Sequence, residues 1–593
     1  MRLRYLHLQN YPPINNIRVC FASGSPLARN CAIRFVVGVN GSGKSNLLRA
    51  VAEIFLALDE LRRPPFPVTL IYELGLRGTS NHRTLLFDCP HDRSQASLWI
   101  HEKYTFPDDT DQHMFGLVID HLRQRTKPMV PGFVALIQPG EWPARSATPP
   151  QIALPTAVLA YTTGDLRPWR SVWNRNQDAQ GLLESNEGEA DLNDERPAGW
   201  TAAQEAALQA ARQVEPSAET NAIATSTAAS DTYRRPILLD ATLLKCALLA
   251  VALPQSFKTP TDGPEQLISI LRGDKQNALQ ELLERGGWNH LVSVGFRSRL
   301  QASTWDRKLC ETAHDWWLCS GEVIAEPHPV ELRRTLFFDL KGGFSAQDLP
   351  LRATSDLRTC TTQGEALWAL LGGTQDATAF ELFARLLDLN QAGLFDDVLL
   401  RLRRQAVPEA SSDAVDQDIG VLRYEELSDG EQMVLGRMAL FHLLQGQQDA
   451  LLLLDEPETH FNDKWKREIV DIIDDAIGNT ANDVLISTHS AIVLSDVFNN
   501  EIVMLEKTAN GLSVRTVDEP TFATDPSALM MTVFGADDSI GKRAQEFIER
   551  KLEQATGTAE EIVDLERLIA RMGSGFYRSE LRTLLNTWRG GNA

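Results

Sequence analysis

Four short blocks, spread over most of the chain, restrict what it can fold into. They are Gly38-Val-Asn-Gly-Ser-Gly43-Lys44-Ser45, Leu427-Ser-Asp-Gly-Glu-Gln432, Leu451 to Glu458, and Ser487-Thr-His-Ser490. The first fits G-x-x-x-x-G-K-S, with the apolar run Ile33 to Val37 before it. Leu47, Leu48, Val51, Ile54 and Phe55 follow at helical spacing. Glycines let a backbone turn its N–H groups toward phosphate, and the N-terminus of the following helix adds a favourable dipole. Such a loop assigns Lys44 to the β- and γ-phosphates of a nucleoside triphosphate and Ser45 to Mg²⁺. Gly38, Asn40, Gly41, Gly43 and Asn46 complete the candidate phosphate cradle.

The third block is a strand that ends in acids. Ala450 to Leu454 has no polar residue, as a central parallel strand requires. Asp455 at its end is a candidate metal ligand, and Glu456 a candidate general base for an attacking water. The fourth block follows another short apolar run, Asp483 to Ser487. It puts His489 at a strand's C-terminal edge, where ligands collect in open α/β sheets. There His489 can donate to a γ-phosphate or to the water.

The second block is the discriminating one. Taken alone, Ser428 with Glu431 three residues on is a capping box at a helix start. It lies 27 residues before Asp455 (455 − 428), with a helix between them. At that spacing Ser428, Gly430 and Glu431 make a helix N-terminus suited to a γ-phosphate.

Composition limits the class more weakly. The formal charge of −21 argues against a surface that grips nucleic acid throughout, though a local basic patch remains open. Seven scattered cysteines match no zinc spacing and read as thiols in a reducing compartment. Charges interrupt any signal-like stretch at Met1 to Tyr5, and the most apolar segment, Leu238 to Leu253, carries Asp240 and Lys245. It reads as a buried helix and not a membrane span, so a cytoplasmic protein is expected.

Along the chain, strands are expected at Ile17–Phe21, Val68–Tyr72, Thr84–Phe87, Ala96–Ile100, Phe133–Ile137 and Ala157–Tyr161. Between about Glu184 and Arg235 the composition shifts to Ala, Glu, Ser, Thr and Asn, the best candidate for a partly disordered insertion. Within it a helix is expected at Thr201–Gln213. Helices are expected over 236–290 and 357–405, short strands over 291–345, and alternating strand and helix over 420–515. The tail from 526 reads as helical, with Leu565, Leu568 and Ile569 on one face. Two basic groups stand out, Arg401, Arg403 and Arg404, and Arg167, Arg170 and Arg175 with Trp169 and Trp173. The latter could stack on nucleic acid or equally be a solvated helical face or internal packing.

Together the blocks resemble the ABC-type ATPase head of the SMC, RecF and OLD families, firmly over 1–60 and 420–515 and further over 155–165 and the tail. Asp455-Glu-Pro-Glu-Thr-His-Phe461 is similar to the Asp-Glu-Pro-Glu-x-His-Leu pattern of the OLD-like branch, common in bacterial anti-phage systems. Val533-Phe-Gly535 with Asp538-Ser-Ile540 resembles restriction-associated ATPases of this kind, including Septu and retron-linked ones. The fold so implied is α/β, an ABC-type P-loop ATPase head with a mixed sheet, helices on both faces, an antiparallel flank and a mostly helical insertion. Its expected parts are an N-terminal lobe over 1–165, a variable insertion over 166–235 and a mainly helical domain over 236–415. A C-terminal lobe over 416–525 and a helical tail over 526–593 follow.

The resemblance implies ATP and Mg²⁺ as ligands and a head-to-tail dimer. In it Ser428 and Gly430 of one subunit close on ATP held by Lys44 of the other. The family's glutamine loop has no clear match, and Gln138, after the Phe133–Ile137 run, is the candidate metal ligand. The 384 residues from Lys44 to Ser428 (428 − 44) hold no long heptad run, which sets the chain apart from long coiled-coil SMC proteins. After His489 come 104 residues (593 − 489), little space for the nuclease domain of OLD proteins, and Asp537-Asp538 reads as a solvated turn. The implied role is therefore the ATPase or sensor subunit of an anti-phage system that controls a separate effector, a nuclease by expectation. A RecF-like DNA-clamping ATPase and an ATP-cemented scaffold holding an effector inactive are the alternatives. Direct nucleic-acid binding stays open.

Overall fold

The computed structural model describes residues 1–21, 29–124, 130, 132–142, 152–178, 236–253, 255–258, 266–269, 287–299, 305–326, 333–340, 342–349, 354–373, 377–404, 420–508, 511–536, 540–553, 557–573 and 576–590. The insertion expected over 184–235, its helix at 201–213, and Asp537 to Ser539 lie outside these residues.

Apolar runs from both ends of the chain meet in one seven-stranded sheet. Its order is Gly511–Arg515, Ile502–Thr508, Ala32–Val37, Asp483–Thr488, Ala450–Asp455, Ala157–Thr162, Ile237–Leu239. All but Gly511–Arg515 run parallel to their neighbours. The four central strands are buried along their whole length, which is why they contain almost nothing polar until their ends. Register then aligns those ends: Asp455 pairs with Thr162 on one side and Ser487 on the other, and Thr488 pairs with Val37.

Side chains alternate across this sheet, so Leu451, Leu453 and Leu485 face one layer while Leu452, Leu454 and Ile486 face the other. The first layer is the helix Lys44–Asp59, sandwiched against a six-stranded antiparallel sheet. That flank has the order Ile14–Cys20, Arg2–Tyr11, Val68–Leu74, Arg83–Cys89, Ser97–Glu102, Val134–Ile137. The helix Gln112–Gln124 covers its outer face through Phe115, Val118, Ile119 and Leu122. Trp169 and Trp173, on the helix Arg167–Asp178, pack into the same core. That favours the internal-packing reading over a nucleic-acid stack, at least for the two tryptophans.

The second layer holds the helices Ala241–Ala252, Asp429–Leu443 and Asp463–Ile477. The apolar segment that begins near Leu238 is thus a short strand and a buried helix, and no described helix is long and apolar enough to cross a membrane.

Behind those helices the expected mainly helical region also contains a five-stranded antiparallel sheet. Its order is Glu322–Glu326, Arg333–Asp339, Trp288–Arg299, Asp397–Arg404, Val421–Arg423. A small pair, Gln255–Lys258 and Gln266–Ser269, stands where helix is expected. The run expected to stay helical to 405 instead ends with the helix Ala379–Gln391, and Asp397–Arg404 is a strand. Its sequence alternates, with Val398, Leu400 and Leu402 buried and Arg401 exposed, a period of two that no helix can bury on one face. The tail is helical, with a small core of its own formed by Ile548, Leu565, Ile569, Leu581 and Leu585.

Candidate functional site

The glycine loop connects the strand Ala32–Val37 to the helix Lys44–Asp59. A methyl group on Gly38 would run into the Leu505 carbonyl and lie 2.5 Å from Ser42 Oγ, so only glycine fits there. Gly41 and Gly43 have φ of 79° and 83°, the left-handed region that glycine enters without strain. Gly43 caps the helix with no side-chain bond, leaving the first-turn N–H groups without an intrahelical acceptor. Lys44 is 5% exposed and folds back to donate Nζ to the Gly38 carbonyl at 3.0 Å. Ser42 Oγ is buried with no hydrogen-bond partner. Free N–H groups, a curled lysine and an orphaned hydroxyl suit a phosphate chain. Asn40 and Gly41 stand exposed at the tip. Asn46 turns away, donating to the Pro12 carbonyl at 2.8 Å and accepting from Arg49.

The strand ends build the acidic side. Asp455, 6% exposed, accepts three hydroxyls: Ser45 at 2.8 Å and Ser487 at 2.6 Å on Oδ1, and Thr162 at 3.1 Å on Oδ2. One carboxylate among hydroxyls is a hard-oxygen donor set that fits Mg²⁺ completed by phosphates and water. Among the described residues no group of three or more His, Cys, Asp and Glu could hold a metal by itself. Gln138 is not at this cluster. It is exposed, after the outermost strand of the antiparallel flank, and its carbonyl accepts the Glu141 N–H at 3.0 Å. The strand that neighbours Asp455 is Ala157–Thr162, and it delivers Thr162 in place of a glutamine.

Glu456 leaves the strand with φ of 52°, unusual for a residue with a side chain. Its N–H is held by the Ser487 carbonyl at 3.1 Å and its own carbonyl by the Thr163 hydroxyl at 3.2 Å. Local strain of this kind persists where the surroundings over-determine it. The turn aims the Glu456 carboxylate at His489, whose Nδ1 lies 3.1 Å from Oε1. His489 is half exposed, open to a water on the solvent side. Below them Glu458 is 2% exposed, accepts the Thr488 hydroxyl, and keeps Oε2 without a partner. Burial foremost, with some repulsion from Glu456, pushes its carboxyl above the usual range.

Ser428 caps the helix Asp429–Leu443 in a reciprocal box with Glu431. Glu431 N–H donates to Ser428 Oγ at 3.3 Å, while Ser428 N–H and Oγ–H donate to Glu431 Oε2 at 3.0 and 2.9 Å. Arg404 Nη2 holds the other carboxylate oxygen at 3.0 Å. Partial burial raises the Glu431 pKa, but these hydrogen bonds outweigh it and hold the group below its ordinary value. Ser428 is exposed and Gly430 half-buried. The hydrogen bonds of Ser428 run within this cap and not to the glycine loop of the same chain.

Arg437, two turns along that helix, joins the cap to the acids. It is 1% exposed and donates to the carbonyls of Pro457 and Thr459 and to the Tyr161 hydroxyl, and it lies over the rings of Tyr161 and Phe461. Burial lowers its pKa. The sequence left Thr162 and Arg437 unmarked, marked Arg404 only within a basic group, and gave Glu458 no role of its own within its block. The signals within reach were the hydroxyl pair Thr162-Thr163 closing an apolar run and the second acid of Asp-Glu-Pro-Glu.

Residues 353–496 match the family model described as an AAA domain, putative AbiEii toxin, Type IV TA system. No curated relative matches the chain. Among solved structures it is similar to an SMC head bound to the C-winged helix domain of ScpA, at 11% identity and TM-score 0.29, over 87% of this chain and 98% of that one. The SMC head domain from Thermotoga maritima aligns at 11% identity and TM-score 0.28, over 88% of this chain and 100% of that one. A Pyrococcus furiosus SMC head with an extended coiled coil, bound to the C-terminal domain of ScpA, aligns at 11% identity and TM-score 0.25, over 87% and 96%. Residues 353–496, which hold the serine-capped helix, the acid-tipped parallel strand and His489, are thus similar to an AAA domain, and the glycine loop lies outside that match.

Proposed function

We propose that the chain hydrolyses ATP in a head-to-tail dimer. The observation that carries this reading is the meeting of Ser45, Asp455, Glu456 and His489 on one sheet edge, 2.8 Å and 3.1 Å apart in their two pairs. Lys44 and the first-turn N–H groups bind the β- and γ-phosphates, with Gly38, Gly41 and Gly43 keeping the backbone close. Ser45, Asp455 and the Thr162 hydroxyl would hold Mg²⁺, which supplies charge neutralisation on the phosphates. Glu456 takes the proton of a water that attacks the γ-phosphorus, as the bond to the β–γ bridging oxygen breaks. His489 orients that water. Ser428 and Gly430 of the second subunit close over the γ-phosphate. Exposure of Ser428 supports a contact made in trans.

Glu456→Gln tests this. The variant should bind ATP with Mg²⁺, lose turnover and accumulate as a closed dimer. Turnover at the wild-type rate would make the assignment of the base wrong.

The role we infer is the ATPase or sensor subunit of a bacterial anti-phage system with a separate effector. The family description over residues 353–496, which names a toxin of a type IV toxin–antitoxin system, supports a chain that works with a partner. The test is protection from phage by the gene with its neighbours. Lys44→Ala should abolish protection, and persistence of protection in that variant would refute an ATP-driven role.

A further inference from the structure

Within the cap, Glu431 presents a problem that Arg404 answers. Its carboxylate lies one hydrogen bond, 2.9 Å, from the Ser428 hydroxyl. A bare carboxylate there would repel an incoming triphosphate. Arg404 pairs with the far oxygen, Oε1, so the cap meets phosphate as a neutral pair. The arginine is the last residue of the strand Asp397–Arg404 and belongs to the five-stranded sheet, not to the seven-stranded one. Its N–H donates to the Gly420 carbonyl at 2.8 Å, and its guanidinium lies over the buried Trp288 ring at 5.4 Å. Backbone and ring thus hold it while the side chain stays 56% exposed beside exposed Ser428.

We propose that Arg404 is a positioning residue that neutralises Glu431 so that Ser428 can be offered to the γ-phosphate of a second subunit. When phosphate arrives, the Ser428 hydroxyl turns from Glu431 Oε2 to it. Glu431 then keeps the Ser428 N–H and Arg404, and the helix cap survives the exchange. The inserted sheet therefore owns one determinant of dimer closure, and whatever shifts that sheet changes the affinity of the closed state. This inference rests on the trans-dimer reading above.

The test uses the full chain carrying Glu456→Gln, with ATP and Mg²⁺ as the probe. Two quantities are read: the dimer dissociation constant by sedimentation, and affinity for a fluorescent ATP analogue at monomeric dilution. Arg404→Ala should weaken dimerisation about tenfold or more, the scale of one charge-assisted hydrogen bond, with monomer nucleotide affinity within about twofold. Adding Glu431→Gln should bring dimerisation back to within about threefold of the parent, because glutamine keeps the capping box and carries no charge. If the second change restores nothing, Arg404 acts by packing on Trp288 and the proposal is wrong. If the parent itself shows no ATP-dependent association, the dimer reading fails and takes this proposal with it.

Discussion

Ser45 and Asp455, 410 residues apart in sequence, share a 2.8 Å hydrogen bond between the first turn of a helix near one end of the chain and a strand from the other. That bond marks where magnesium and phosphate are expected. Its neighbour Lys44 spends its charge on a single carbonyl, that of Gly38, a partner weaker than phosphate. Lys44→Ala should therefore weaken ATP binding on the order of a hundredfold, measured by titration calorimetry, with little change in melting temperature. Asp455→Asn should retain nucleotide and lose its dependence on Mg²⁺.

Arg437 makes a different prediction because its work is structural. Its removal would leave the carbonyls of Pro457 and Thr459 and the Tyr161 hydroxyl short of a buried donor, between two rings that lose a cation. Arg437→Ala should cost about 3 kcal/mol of stability or more, seen as an earlier midpoint in urea. Arg437→Lys should recover only part, since an ammonium cannot span three acceptors in a plane.

Residues that belong to a motif or touch their partners through sequence-local geometry were legible; residues outside the motifs whose role depends on strand order were not. Ser428 and Glu431 are three apart on a helix start, so their box follows from spacing alone. Thr162 is an ordinary hydroxyl until Ala157–Thr162 pairs beside Ala450–Asp455 and brings it to Asp455. The role of Arg404, which stands out only as one of a basic group, is hidden for a similar reason. Its strand follows a run of helices and carries four arginine or aspartate side chains in eight residues, so the alternation of Val398, Leu400 and Leu402 is easily overlooked.

Glu458 predicts a pH dependence. Its folded pKa lies above the ordinary 4.5, so the folded chain binds this proton more readily than the unfolded one. The sign follows: this group favours folding below its unfolded value, and that contribution is lost as pH rises from about 4.5 through the folded pKa. Glu458→Gln removes the buried charge while keeping an acceptor for the Thr488 hydroxyl. The variant should melt at a higher temperature than wild type at neutral pH, and the difference should vanish near pH 4. An equal difference at both pH values would mean that the folded and unfolded chains bind this proton alike and that burial does not raise its pKa.

Variants of Thr162 and Gln138 would decide which residue serves the proposed Mg²⁺ beside Ser45. Thr162 donates to Asp455 at 3.1 Å from the adjacent strand, whereas Gln138 is exposed beyond the far edge of another sheet. Thr162→Val keeps the shape and removes the hydroxyl. It should raise the Mg²⁺ concentration for half-maximal turnover several-fold, about 1 kcal/mol for one hydroxyl contact, with ATP affinity in the absence of metal unchanged. Gln138→Ala should leave that concentration where it was. A reversed outcome, with Gln138 sensitive and Thr162 silent, would require the loop after Ile137 to swing onto the sheet edge when nucleotide binds, and Thr162 would then be only a brace for Asp455.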